Sequence, residues 1–497
     1  MRHALARPKS DTMPSSGAPR PHFRTIALIV GAAMFMEQMD STVLATALPS
    51  MARELGVSAP SLSIALTSYL ISLAVFIPVS GRIADRFGAR TVFRSAIVIF
   101  LLGSISCANA PNVAFLVIAR FFEGVGGALM MPVGRLVLMR NVEKRDLIQA
   151  TSWVLIPAVV GPILGPPLGG FIVTYLHSWR WIFYINVPIG LLGIVLVSLF
   201  ISNTRGEVPE KTDYLGIVLS SLSLALLLFG LELTSHEGEL SLALMLLAIG
   251  GLLGIFYVRH ARHTKDPILD VSLMKIPTFG TSVIAGAITR LTQGAHPYLL
   301  PLMMQLGFGL SALQSGLMTL ATALGSIIAK PVAPMMLRRF GFRDTLAVNG
   351  FFASAGYAIC GLFRPGWPLP VMFLIMAISG FFMSIQFTGY NTIAYDEIEQ
   401  DRMASATSFY TTFQQLMLSM GICAGAAALQ GAMVLRGHHA PQFADFTAAF
   451  WTVAAVSLTA TIWNRRFAHD AGTEISGHTP RTWPTRQVIK EPRGLNS

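Results

Sequence analysis

Apolar residues fill runs of roughly twenty positions along this chain, and the polar residues gather in short clusters between them. A helix of ~20 residues crosses the hydrocarbon core of a bilayer. It also satisfies its own backbone donors and acceptors, which lipid cannot do. The pattern therefore predicts an all-α integral membrane protein with fourteen spans, near 25–49, 60–81, 91–110, 112–134, 150–176, 181–202, 214–233, 239–258, 278–305, 311–334, 344–363, 368–391, 402–432 and 445–464. Residues 1–24 are basic and Pro-rich and read as a cytoplasmic tail, because the apolar run that follows is too long for a cleaved signal peptide. Residues 467–497 read as a second cytoplasmic tail, polar and expected to be disordered from Ala471 to Ser497.

Composition agrees. Of 497 residues, 53% are hydrophobic and 12% charged, with a mean hydropathy of +0.60. A soluble chain carries about twice that charge. The net charge of +11 would suit nucleic acid if the bases formed one surface, but they fall in alternate loops. With both termini inside, 29 Lys and Arg lie on the cytoplasmic side with the tails included, among them Arg82, Arg94, Arg135, Lys144 and Arg145. Four lie outside (Arg53, Arg180, Arg364 and Arg436), and Arg120, Arg290 and Lys330 lie within spans. That bias orients a multi-pass protein of the inner (plasma) membrane with both termini cytoplasmic. Cys107, Cys360 and Cys423 sit in apolar runs with no metal spacing and no obvious disulfide pairing. No nucleotide-binding loop, nucleophile triad or metal cluster appears, so no enzyme, metal, cofactor or nucleic-acid partner is expected.

The chain repeats itself. Pro78-Val-Ser-Gly-Arg-Ile-Ala-Asp-Arg-Phe-Gly-Ala-Arg90 and Pro331-Val-Ala-Pro-Met-Met-Leu-Arg-Arg-Phe-Gly-Phe-Arg343 share six residues in register. Val142 to Trp153 and Ile398 to Phe409 form a second pair at nearly the same offset of about 255 residues, or eight spans. Both copies have one orientation. This is a parallel repeat of two six-helix halves, 25–202 and 278–466, joined by a linker at 203–277 that holds two extra spans.

Charges inside spans carry the chemistry. Glu37 and Asp40 lie three residues apart near the middle of the first span, on one helical face. A carboxylate at that depth costs at least about 2.5–3.5 kcal/mol, so it faces protein or a wet cavity rather than lipid. It reads as a helix–helix hydrogen bond or as a proton carrier, and the second is the better reading. Depth counting at 1.5 Å per residue puts Asp40 and Arg120 level, with Glu37 and Glu123 nearer the midplane. The group can act as a proton exchanger or as a static ion pair fixing two helices. Arg290 can contact substrate or an acid of the first half. His296 reads as packing before proton relay, and Lys330 as a snorkelling side chain. The many Met and Phe suit lipid contact and gap-filling.

Two segments suggest movement. In the stretch 81–90, Gly81 and Gly88 permit close approach or positive φ, and Asp85 among Arg82, Arg86 and Arg90 can form a switchable ion-pair cluster in a short cytoplasmic turn. In the fifth span Gly161, Gly165 and Gly169 recur every four residues and offer a flat face to a neighbouring helix, with Gly170 beside them. Pro162, Pro166 and Pro167 remove donors and should kink that helix. Simple small-residue packing is the alternative reading of the glycines and does not exclude the first.

The 81–90 stretch resembles the signature loop of the major facilitator superfamily, and the chain as a whole resembles its fourteen-span drug:proton antiporter branch. Ala119-Arg-Phe-Phe-Glu-Gly-Val-Gly-Gly-Ala128 looks like that family's Arg-centred motif. Gly161 to Gly170 looks like its antiporter motif, and Met36 to Pro49 like its first-helix Asp motif. Three departures stand out: Glu123 replaces the usual Gln, Glu37 lies outside the signature, and the second loop copy has Pro334 and Arg338 in place of Gly81 and Asp85. The resemblance implies that spans 1 and 4 line a central cavity. It also implies proton-coupled efflux of small amphipathic compounds by alternating access. Uptake or export of one metabolite, or a non-transporting sensor, are the alternatives. The expected partners are a small-molecule substrate, protons and the lipid bilayer, with a periplasmic adaptor protein as a further candidate.

Overall fold

A computed structural model describes residues 23–478 apart from 144, 145, 206–212, 236, 237, 266 and 401. Lys144 and Arg145 of the fourth-to-fifth span loop, and the tail residues 1–22 and 479–497, lie outside the described residues. The first half comprises α1 (Phe23–Leu55), α2 (Ser63–Phe87), α3 (Ala89–Ala108), α4 (Val113–Asn141), α5 (Leu147–Tyr175), α6 (Trp181–Tyr184) and α7 (Asn186–Phe200). The linker forms α8 (Tyr214–Leu233) and α9 (Leu240–Ala261). The second half comprises α10 (Pro277–Leu302), α11 (Ala312–Cys360), α12 (Leu369–Ile393), α13 (Met403–Arg436), α14 (Phe443–Trp463) and the short α15 (Thr473–Ser476). Among the described residues there is no strand.

Among the described residues twelve helices are long and apolar enough to cross a membrane, so the expected fourteen spans are not matched one for one. Two departures explain the difference. The 49-residue α11 runs through two expected spans and breaks at one residue, Gly341 (φ 74°, ψ 170°). The 26-residue α10 carries Arg290, His296 and two internal prolines, and is not among the twelve.

Sequence sets the ends. Asn112 accepts from the Phe115 N–H and starts α4, and Ser311 with Gln314 forms a capping box at α11. Gly437, in the left-handed region, closes α13. Two boundaries differ from expectation. The stretch read as a turn from Gly81 is helical to Phe87, and α3 resumes at Ala89, so the corner is Gly88 alone (φ 92°). Of the tail expected to be disordered from Ala471 to Ser497, only residues 471–478 are described, and these include α15. They dock on the second half through Gly472 N–H to Asp396 Oδ2 (2.9 Å) and His478 Nδ1 to the Arg338 carbonyl (3.1 Å).

The halves meet along α2 against α13 and α5 against α11, while α8 rests on α2 and α13 with α9 behind it. One large apolar core occupies the end of the bundle that holds Trp179. It draws on both halves, joining Leu48, Leu62 and Phe183 to Tyr298, Leu302, Met376 and Phe450. At the opposite end, which holds the Gly88 and Gly341 corners, the cores are separate. One packs Ile26, Phe93, Val133 and Ile201 within the first half, and another packs Leu337, Phe342, Leu346 and Ile393 within the second. A small cluster of Ile71, Ala74, Leu228 and Leu416 bridges α2, α8 and α13 between them.

Candidate functional site

Arg120 is 1% exposed, at the centre of the first half. Its Nη1 donates to Asp40 Oδ2 of α1 (2.6 Å) and to Glu123 Oε2 one turn along α4 (2.8 Å). Its Nε points at the Ala65 carbonyl (3.4 Å), and the guanidinium lies 4.4 Å from the Tyr69 ring centroid and 5.8 Å from that of Phe183. The i, i+3 spacing on α4 brings both Arg120 and Glu123 to the α1 side. Asp40's second oxygen accepts from Asn186 Nδ2 (3.1 Å), which also donates to Ser104 Oγ (3.0 Å). Cys107 Sγ donates to Glu123 Oε2 (3.4 Å). Glu123 Oε1 is buried with no hydrogen-bond partner.

Glu37 is buried but does not join Glu123 near the midplane. It accepts from Gln38 Nε2 (2.8 Å) and from the Tyr69 hydroxyl (3.4 Å). Tyr69 thus lies between the Arg120 group and Glu37. Asn186, Ser104 and Cys107 escape sequence reading, although Asn186 left a trace as a lone amide in the apolar run from Trp181 to Phe200. Glu232 was also missed. It is fully buried on α8, where the Ser63 and Thr67 hydroxyls of α2 donate to it, Thr67 at 2.9 Å.

The corner residues take positions the sequence left open. Asp85 pairs with Arg140 of α4, a partner from outside its own loop. Arg86 donates to the Tyr214 hydroxyl of the linker (3.3 Å), and Arg90 to the Ile201 carbonyl (3.3 Å). Gly81 has neither a positive φ nor a close neighbour, so neither reason offered for it holds. Gly88 has both: a Cβ there would sit 2.2 Å from Asn203 Oδ1. Gly341, its counterpart in the repeat, shares the left-handed conformation.

Along α5 the glycines face two ways. A Cβ on Gly161, Gly165 or Gly169 would press on the α1 carbonyls of Phe35, Met39 and Val43, which bracket Asp40. A Cβ on Gly170 would meet the Ala312 carbonyl of α11 at 2.3 Å, and one on Gly316 would meet the Pro166 carbonyl at 2.3 Å. The helix stays continuous through Pro157, Pro162, Pro166 and Pro167. One helix therefore ties the Asp40 segment to the second half.

Arg290 and His296 are not brought together. His296 packs toward α11, with Nε2 3.3 Å from Thr322 Oγ1 and its ring 5.7 Å from Tyr357. Arg290 lies between α12 and α13, its guanidinium 5.2 Å from the Phe387 ring and 5.4 Å from the Tyr410 ring. Lys330 is exposed. Among the described residues no group of three or more His, Cys, Asp or Glu could hold a metal, and the three cysteines are buried and free.

Buried charges on helices around a two-half bundle define a membrane transport protein. The chain belongs to the Major Facilitator Superfamily, whose pattern matches residues 30–422. It is 36% identical over 401 residues to the probable transport protein HsrA of Haemophilus influenzae, covering 80% of this chain and 86% of that one. It is 34% identical over 396 residues to the putative multidrug resistance protein MdtD of Salmonella heidelberg, covering 79% and 84%. Its fold is similar to the POT family transporter PepTSo (TM-score 0.67, 13% identity, 89% and 97% covered) and to a D-xylose-proton symporter (TM-score 0.63, 16% identity, 89% and 97% covered).

Proposed function

We propose that this transporter exports small amphipathic compounds in exchange for protons, by alternating access. The observation that carries the reading is the buried Asp40–Arg120–Glu123 group. One guanidinium balances one carboxylate, so the group is neutral with one proton bound and carries −1 without it. Changing that charge in a low-dielectric interior changes the energy of the whole arrangement. Glu123 Oε1, unpartnered, is the oxygen available to hold the proton. Protonation there would release Arg120 from Glu123 within α4 and leave it paired with Asp40 of α1 alone. The α5 contacts, which run from the Asp40 segment to α11, then offer a route to the other half.

The charge bias along the sequence makes the Gly88 end cytoplasmic. With the halves sealed by a common core at the Trp179 end, the arrangement corresponds to access from the inside. On this reading there are fourteen crossings in the inner membrane, counting α11 twice and including α10, with both termini cytoplasmic. The relatives' names, a probable transport protein and a putative multidrug resistance protein, support transport, and the second supports export.

The test is uptake of fluorescent amphiphiles into inverted vesicles, with and without an imposed proton gradient. Wild-type vesicles should accumulate them only with the gradient, and Asp40→Asn should abolish this while keeping substrate binding. Proton release by the purified protein on adding substrate should vanish in Asp40→Asn as well. Full release from Asp40→Asn, with loss only in Glu123→Gln or Glu37→Gln, would move the coupling site away from Asp40.

A further inference from the structure

Arg290 is 3% exposed at the middle of α10, yet it lacks what Arg120 has. Its Nε and Nη2 are buried with no hydrogen-bond partner, and no ion pair joins it to a carboxylate among the described residues. A buried, uncompensated charge is among the costliest arrangements a fold can hold. The groups around it, Tyr390, Tyr395 and Tyr410, supply no counter-charge. The Tyr410 hydroxyl, also buried and unpartnered, is neutral and can donate or accept. One turn from Phe387, Asn391 has its Oδ1 taken by Gln414 Nε2 (2.9 Å), and the Tyr390 hydroxyl is committed to Asn464 Oδ1 (2.7 Å). What remains is a guanidinium with free N–H donors beside a free hydroxyl, between the rings of Phe387 and Tyr410. Phe387 is 40% exposed, so one wall of the cluster reaches an open surface.

We propose that Arg290, with Tyr410, is the anion-recognition point of the substrate site, so that the favoured cargo carries a carboxylate on a flat apolar body. A guanidinium fork matches a carboxylate with two parallel N–H donors. The rings give a flat apolar body faces to stack on. The missing counter-charge then arrives with the cargo, which makes binding dependent on the anion. This assignment rests on the export reading and names its substrate class.

The probes are 2-naphthoate and its neutral methyl ester, with binding to the purified full-length protein measured by equilibrium dialysis. Wild type should bind the acid roughly tenfold or more tighter than the ester. Arg290→Met should erase that preference by weakening the acid far more than the ester, and raise the thermal midpoint because an uncompensated charge has gone. Tyr410→Phe should weaken the acid by about threefold and spare the ester. The assignment is overturned if wild type shows no preference for the acid, or if Arg290→Met keeps the preference or melts lower than wild type. Should Arg290→Met fail to purify, Tyr410→Phe decides, and unchanged acid binding there overturns it. The two readings fail separately. Acid binding with no naphthyl transport in vesicles breaks export, whereas export of the ester without acid preference breaks only the anion site.

Discussion

The two halves share a scaffold and divide the charge. Gly88 and Gly341 make the same one-residue corner, inside segments that share six residues in register. Each half also buries one arginine against aromatic rings, Arg120 over Tyr69 and Arg290 between Phe387 and Tyr410. Only the first is answered by carboxylates, from Asp40 and Glu123. The corners differ too, since Asp85 pairs with Arg140 where the second copy has Arg338. A repeat preserves backbone geometry, because corners and close helix packing tolerate few residues. Charge is free to diverge, and on the proposed reading it has separated a proton site from a cargo site.

The largest expected effect comes from treating the two arginines alike. Arg120→Met strands two carboxylates in the interior. Removing one partner of a buried pair costs about 3–5 kcal/mol, so this variant should lose most of its folded yield and melt far below wild type in detergent. Arg290→Met should do the opposite. Thermal unfolding of the two variants side by side breaks the comparison if both fall equally.

Next is the join between the halves. Gly170→Leu places a side chain where even a Cβ would lie 2.3 Å from the Ala312 carbonyl, so α5 and α11 must part. Transport rate should drop at least about tenfold, the loss expected when packed helices can no longer adopt both arrangements. Near-normal rates would show that the α5–α11 contact is not used in the cycle. A smaller effect follows at the first-half corner. Asp85→Asn removes the carboxylate from Arg140 at a partly exposed site, where a pair is worth roughly 0–1 kcal/mol. It should slow turnover a few-fold with folding intact, and turnover equal to wild type at several pH values would make the corner topological only.

Much of this was legible in the sequence, for identifiable reasons. Apolar run length marks spans, because lipid demands whole helices. Rise per residue placed Asp40 and Arg120 at one depth, and they touch at 2.6 Å. Depth, however, says nothing of azimuth, so reading Glu37 and Glu123 both near the midplane could not show that Tyr69 and Gln38, not the Arg120 group, hold Glu37. Partners from distant helices were invisible for the same reason. Asn186 reaches Asp40 across 146 positions, and Arg140 reaches Asp85 across 55. The corners were drawn too long because charged residues were read as loop, although a helix can carry them to its last turn when the next residue is a glycine in the left-handed region.

Glu37→Gln is expected to have the smallest effect, and it tests where the proton site ends. Glu37 lies three residues before Asp40, but the side-chain partners of Arg120 among the described residues are Asp40, Glu123 and the Ala65 carbonyl. Its carboxylate is held by Gln38 and, at 3.4 Å, by the Tyr69 hydroxyl. Gln keeps the length of Glu and one of the two acceptor oxygens, so the bond from Gln38 Nε2 survives and the Tyr69 hydroxyl can turn to accept from the new amide. The Asp40–Arg120–Glu123 charge balance is untouched. Substrate-induced proton release should therefore persist at near wild-type stoichiometry. The change should appear in substrate preference or in the pH at which release is half complete, because a charge close to the group has been removed. Loss of release in Glu37→Gln, with Asp40→Asn still active, would make Tyr69 a bridge rather than a boundary and extend the proton site to both of its sides.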